Sequence, residues 1–552
     1  MQKLKSIKLY FFSILKLTSL SFRNYHFNSS SYNKKLVTFI PDRIFYSPST
    51  HLISSLTTNN NEFYKITNTP SKILWKENIK DKQKFENLHS FMWLSKLDRK
   101  NSKTFTKSII KSWINDFFDY SSNTWEEEIT AKRIIAWVSN TDITLENADK
   151  IYKENFFISI IKQSNFLLKN IKNLNDDSSK IICCSAIILS GIVFKENDIN
   201  YKIGIKELER VIKNFFDKNG FPKSRNPEDL FTCFKYFILT REWFLESQTS
   251  IPSFLNNIIY KCGECYKILS GSNKKLPLFN GATEVDFQLY DEFLKKFKYK
   301  FPITKNNEVG GLVKIKKKNL EFFFDFGNPP SDDFAKSYQA GCLSFELLSK
   351  KQKIIGNLGF HKGIMPRLTE LSRSTAAHST LYLNDTSSCI FQKNKTINTA
   401  YGISLIKKHK IIKSSYTEDD NFYYTSASHN GYEESFGYIH SRSIKISKKK
   451  DTIIGLDILK NSKNYFKPVF YSIRFHTYPG TKVVKTKGGN SVLISLPNGE
   501  GWIMENDTNN FEIEKNIFLG NKNKVINNQS ISICGNTNKT TFSINWEIKK
   551  IN

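Results

Sequence analysis

From about Asp81 to Lys300 the apolar positions recur at intervals of three and four with little β-branched alternation, which predicts a succession of amphipathic helices. The spacing places helices over 151–173, 178–194, 203–216, 230–245 and 251–269. Thr124-Trp125-Glu126-Glu127 reads as a capping box opening a further helix, whose apolar face is Ile134, Trp137 and Val138. Short loops between such helices imply antiparallel neighbours and so a curved or closed helical array. Near Glu308 the period falls from about 3.6 to about 2. Short β-rich segments follow at 311–318, 320–326, 342–348, 379–383, 422–427, 443–447, 452–459, 492–496 and 541–548, separated by Gly, Asn, Asp and Lys turns. That is the pattern of an antiparallel sandwich. The change of period falls at 301–307, where Pro302 and the polar run Lys305-Asn306-Asn307 read as a linker. The expected division is a basic lead-in over 1–80, a helical domain over 81–305 and a β-sandwich domain over 306–552.

Composition adds a sign to this outline. Among 552 residues Lys+Arg outnumber Asp+Glu by 82 to 52, a formal net charge of +30, which favours capture of polyanions. The basic residues are dispersed, as on ordinary solvated faces, and no recognised nucleic-acid module accompanies them, so nucleic acid is not an expected partner. No tract of 18 apolar residues is present to span a bilayer. The first residues, MQKLKSIKLYFFSILKLTSLSF, have a basic start and a short apolar run broken by Lys16, without a small-residue cleavage site. At helical spacing Leu4, Ile7, Phe11 and Ile14 share a face flanked by lysines, which suits peripheral membrane contact through residues 1–20; a first helix packed on its domain reads the same way. The eight cysteines repeat no framework and read as free, buried thiols, the lone Cys262-Gly-Glu-Cys265 lying in a helical pattern rather than at a redox turn.

Two adjacent stretches carry a resemblance. RLTELSRSTAAHSTLYLNDTSS (367–388) sets a histidine and two arginines before an alternating strand pattern, and AGCLSFELLSKKQKIIGNLG (340–359) is a strand, a basic turn and a second strand. With LHSFMWL (88–94), WEEEITAKRIIAWV (125–138), SRNPE (224–228), LPLFNGA (276–282), SHNGY (428–432) and the GWIMEND turn (501–507) in order, the chain resembles the heparinase II/III family. The resemblance implies an α+β multidomain protein, an N-terminal α/α toroid followed by a C-terminal antiparallel β-sandwich. It further implies a polysaccharide lyase that breaks the bond to a uronic acid by β-elimination, in a cleft served by both domains, in a bacterial cell envelope or periplasm. Removing a proton beside a carboxylate needs a group that neutralises the carboxylate, a base and an acid.

Under that resemblance Arg225 and Asn226 are the first candidates to hold the carboxylate, since a guanidinium forks onto it bidentately. The structural alternative is that Asn226 caps the helix opening at Pro227 while Arg225 pairs with a nearby acid. Asn280 is either a turn residue or a substrate-holding amide, and Tyr290 reads as core. His378, His429 and Tyr432 are the candidates for proton transfer, with Arg367, Arg373, His440 and Arg442 as further anion-binding groups; for His378 the alternative is an imidazole bonded to backbone, and for Arg367 and Arg373 pairing with Glu370. Three departures from the family pattern stand out. Gln339, a further candidate for substrate binding, occupies the position of a family histidine, Ser178 and Ser179 stand where an Asn-His pair is common, and Asp229 stands where a Tyr is common. Gly341 and Asn357 fall where metal ligands would be expected, leaving His378 alone, so neither a tightly bound ion nor a cofactor is expected. Two functions follow: a lyase acting on an acidic, uronate-containing glycan, or a catalytically degenerate protein that binds such a glycan or serves envelope biogenesis.

Overall fold

The computed structural model describes residues 2–551 apart from 55, 57–73, 76–80, 196–197, 303–306, 364, 464–466 and 523. Most of the expected linker, including Lys305 and Asn306, therefore lies outside the described residues. The chain forms two compact units. One comprises residues 1–216, 231–262 and 289–300, the other 217–230, 263–288 and 301–552.

The first unit is helical, as the period of three and four predicts. Its principal helices are Lys103–Phe117, Glu127–Val138, Lys150–Asn170, Asp177–Val193 and Asp198–Phe215, joined by parts of Pro227–Glu246 and Ser253–Leu269. Asp149 and Asp176 cap two of them by accepting from Tyr152 N–H and Ser179 N–H. The capping box expected at Thr124 is corrected. The cap is Glu126, whose carboxylate accepts from Ile129 N–H, so the helix opens at Glu127 and the Thr124 carbonyl is left to accept from Arg133. Ile134, Trp137 and Val138 are buried as expected, and Trp137 packs against Phe91, Trp113 and Phe156 with ring centroids about 5.4 Å apart. Arg133, in this helix, is fully buried because every side-chain nitrogen has a partner: Gln163 Oε1, the carbonyls of His89 and Thr124, and Thr130 Oγ1. Tyr290 is core, stacked on Phe293.

The second unit is a β-sandwich of two antiparallel sheets. One runs in the order Glu308–Val309, Leu312–Lys317, Leu320–Asp325, Phe345–Ser349, Gln352–Gly356, Phe470–Thr477, Ile526–Asn536, Glu512–Phe518, with Leu381–Leu383 paired to Phe470–Thr477. The other runs Lys482–Lys485, Ser491–Ser495, Gly501–Asn506, Thr541–Lys550, Thr452–Asn461, Tyr438–Ser447, Phe422–Tyr432, Ile411–Glu418. Alternation sets the faces: Phe542, Ile544, Trp546 and Ile548 point inward to meet Phe345 and Phe475, while Thr541, Ser543 and Asn545 point out. Trp546 lies over Gly455, its register partner, where a Cβ would come 2.1 Å from the indole. The GWIMEND segment, read as a turn, is a strand in the middle of this sheet, with Trp502 and Met504 in the core. The strand expected from Cys342 begins at Phe345, because Leu343 takes a left-handed φ of 61° and its N–H bonds Asp325 outside the ladder.

Candidate functional site

The polar residues of the sandwich unit fall into an interior set and an open set. The interior set includes a directed chain of hydrogen bonds across three strands. Asp457 accepts from His440 Nε2 (2.7 Å), from Arg442 Nε and Nη2 (2.8 and 3.0 Å) and from Trp546 Nε1 (2.8 Å). With its proton on Nε2, neutral His440 can accept at Nδ1 from His429 Nε2 (3.3 Å), and His429 Nδ1 accepts in turn from Gly431 N–H (3.0 Å). Only neutral imidazoles satisfy that sequence of donors and acceptors. Consistently, burial, followed by neighbouring His409, His440 and Arg442, pushes the His429 pKa well down; burial also lowers that of His440. Burial alone would raise the Asp457 carboxyl, but Arg442 and His440 hold it well below the usual carboxylate range. His409 extends the cluster, its Nδ1 3.2 Å from the Cys389 thiol, whose pKa burial raises to about 12. Tyr432 is buried beside His429 and donates to the Leu381 carbonyl.

The remaining sequence candidates mostly serve as interior staples. Arg225, at a left-handed φ of 60°, sends its guanidinium to Asp325, to the Gly310 carbonyl (2.7 Å) and toward the Asn328 carbonyl. It lies flat on Gly327, where a Cβ would meet Nη2 at 2.1 Å. Asn226 caps the helix Pro227–Glu246 by accepting from Glu228 N–H (2.8 Å). Both alternatives weighed for this pair describe what these side chains do. Asn280 sits at a turn with φ 55° and donates to the Arg225 carbonyl. Gln339 accepts from Gly281 N–H (2.8 Å) and donates to the carbonyls of Gly359 and Ser372, tying two loops to the helix Pro366–Arg373. His378 is buried with Nδ1 donating to the Ser374 carbonyl (2.8 Å), and burial lowers its pKa to about 4. Its ring packs against Gly341, and the Asn357 amide is engaged with the Leu278 carbonyl and Ser379 N–H, so the donors around His378 do not suit an ion. Arg373 binds the carbonyls of Ala335 and Lys336 rather than Glu370. Arg225, the first candidate to hold a carboxylate, and His378 and His429, candidates for proton transfer, are each buried with internal partners.

The open set lies at 223–228, 280–283, 361–363 and 521–522 of the same unit. Glu228 is buried, accepts from Thr283 N–H and Oγ1, and meets Lys362 (2.9 Å) and Lys522 (2.8 Å), both partly exposed. Burial works to raise its carboxyl, yet the two ammonium groups hold it well below the ordinary range. Two lysines against one carboxylate leave a net positive face. His361 precedes Lys362. Among the six histidines of this unit it is the one with solvent access, the other five being buried. Burial of part of its ring lowers its pKa, which favours the neutral imidazole near pH 7, and its Nε2 is enclosed without a hydrogen-bond partner among the described residues. Its Nε2 lies beneath Gly363, where a Cβ would come within 2.5 Å. His361, Lys362 and Lys522 escape the sequence motifs, since they sit in loops with no periodicity; the clue available was a His-Lys pair in NLGFHKG immediately after a strand.

In the helical unit, Ser178 and Ser179 open the helix Asp177–Val193. Ser179 Oγ contacts both Glu128 (2.6 Å) and Asp176 (2.8 Å), and Glu128 pairs with Lys132. Burial, then Glu128, raises the Glu126 carboxyl to about 7. An acidic cluster, Glu126, Glu128 and Asp176, thus surrounds the position where an Asn-His pair is common.

Comparison with known proteins adds the following. The family described as "Heparinase II/III-like, C-terminal" matches residues 303–547. A mutant of heparan sulfate lyase HepC from Pedobacter heparinus superposes with a TM-score of 0.63 at 13% identity, covering 94% of this chain and 87% of that one. A heparinase III crystal structure gives 0.65 at 16% identity over 87% and 79%, and the heparinase III BT4657 gene product 0.65 at 11% over 90% and 84%. No curated protein sequence matches the chain. These likenesses establish the fold expected from the sequence, an α/α toroid followed by an antiparallel β-sandwich.

Proposed function

From a chain whose residues 303–547 match the heparinase II/III-like C-terminal family, we propose a polysaccharide lyase-like protein that acts on an acidic, uronate-containing glycan by β-elimination. The observation that carries this reading is His361: a partly exposed histidine next in sequence to Lys362, which with Lys522 meets Glu228 on the same face. In the proposed reaction the cations hold the uronate carboxylate and offset charge as it develops. The imidazole takes the C5 proton, the C4–O bond breaks as the C4–C5 double bond forms, and the imidazolium returns the proton to the departing oxygen. One proton is taken and one returned, so no cofactor enters the balance. His378, His429 and Tyr432 then act from behind, fixing the loops and strands that present the open face. An acidic glycan met in the cell envelope or periplasm fits this chemistry.

A second reading, a glycan-binding protein without turnover, is favoured by Gln339, which stands in place of a family histidine and has both ends of its amide committed to backbone. One experiment separates the two. The purified chain is incubated with heparan-type glycans, alginate and other uronate polymers while the ultraviolet absorbance of the unsaturated uronate product is followed. Product formation reduced about 10²–10⁴-fold by His361→Gln supports the lyase. Product formation that His361→Gln leaves unchanged removes His361 from the chemistry. Calorimetric binding without product, lost in a Lys362→Ala/Lys522→Ala variant, identifies the binder.

A further inference from the structure

The helix Gln2–Phe27 carries apolar residues on the side turned away from the protein. At 100° per residue Ile7, Phe11, Ile14, Leu15, Phe22 and Tyr25 fall within one arc of roughly 100°, and they are between 40% and 81% exposed. The opposite side is the docked one. Ser13 and Phe27 are buried, Phe27 packs on Tyr120 and Phe166, Arg23 donates to Asn170 (2.7 Å) and Lys16 to Asn175 (3.2 Å). A helix held by one face should show solvent a polar face; this one shows aromatic and aliphatic side chains along about 27 Å of its length.

Charge selects what covers it. Seven Lys and Arg residues (Lys3, Lys5, Lys8, Lys16, Arg23, Lys34 and Lys35) precede Asp42, the first acidic residue of the chain. A second copy docked through the same stripe would bring these like charges together. No described helix is long and apolar enough to cross a membrane. We propose that this helix seats the protein on an anionic lipid bilayer, lying in the plane of the interface with the Ile7–Tyr25 stripe among the acyl chains and Lys8, at the edge of that stripe, among the headgroups.

The test is flotation of the full-length chain with phosphatidylcholine vesicles, with or without phosphatidylglycerol. The comparison is a Phe11→Asp/Phe22→Asp variant, whose substitutions are solvent-facing and whose fold is checked by its circular dichroism and melting temperature. The expected result is recovery with the anionic vesicles, weakened by salt and reduced at least about tenfold in the variant. Equal recovery of wild type and variant, or none of the wild type, overturns the proposal. So does a wild-type dimer in light scattering that the variant converts to monomer while neither floats, which would assign the stripe to a second copy.

Discussion

Acidification should unfold the β unit well above the range in which its carboxylates titrate. Four of its histidines are buried as neutral rings: His378, with a pKa lowered to about 4, His409 and His476, each lowered to about 3, and His429, driven well below its ordinary value. Burial is the first cause in each case. In the unfolded chain each returns to its ordinary 6.5, so below that pH the unfolded state binds protons that the folded state refuses. The sign follows: stability is full above 6.5 and falls as pH drops toward the folded values. At about pH 5, some 1.5 units below 6.5, each ring costs about 2 kcal/mol and the four together roughly 8 kcal/mol, comparable with the whole stability of a domain. Urea titrations followed by tryptophan fluorescence between about pH 7.5 and 5 should show stability falling by some 1.4 kcal/mol per pH unit per ring once below 6.5. His378→Gln should remove one ring's share of the slope. Stability flat to within about 1 kcal/mol across that interval would mean the rings are charged or solvated, and would refute the directed neutral chain through His429 and His440.

Asp457→Asn should destabilise the β unit by about 3–5 kcal/mol in chemical denaturation, because Arg442 would be left as an unbalanced buried charge; a loss under about 1 kcal/mol would contradict the network. Gly327→Ala should cost roughly 1–3 kcal/mol, since its Cβ would strike the Arg225 guanidinium, whereas Gly488→Ala, with nothing within 4 Å of the new Cβ, should lie within about 0.5 kcal/mol of wild type. Gly363→Ala should push the His361 ring outward and raise its pKa toward the ordinary value, visible in a nuclear magnetic resonance titration without loss of the folded spectrum.

The architecture was legible because periodicity is a local property summed over many residues. The helices at 151–173, 178–194 and 251–269 appear within a few residues of their expected bounds. Strands without that signal went unread. Ile411–Glu418 is an edge strand with scarcely a buried side chain, and Ile526–Asn536 opens on Asn527, Asn528 and Gln529, which read as loop. The site was less legible than the fold. An arginine that will hold a ligand and one that will neutralise an interior acid look alike in sequence, and the partner of Arg225 is 100 residues away at Asp325. His440 and Arg442 announced a polar strand, but Asp457, which decides their protonation and orientation, lies on the next strand and attracted no notice.

The β unit is assembled from three separate stretches of chain, and the helices Pro227–Glu246 and Ser253–Leu269 each pass from one unit into the other. Its interior contacts join those stretches: Arg225 to Asp325, Glu228 to Lys362 and Lys522, Gly281 to Gln339. A genetic crossover near residue 301 would therefore part every one of these couples at once. Among relatives Arg225 with Asp325, and Glu228 with Lys362, should therefore change together or not at all.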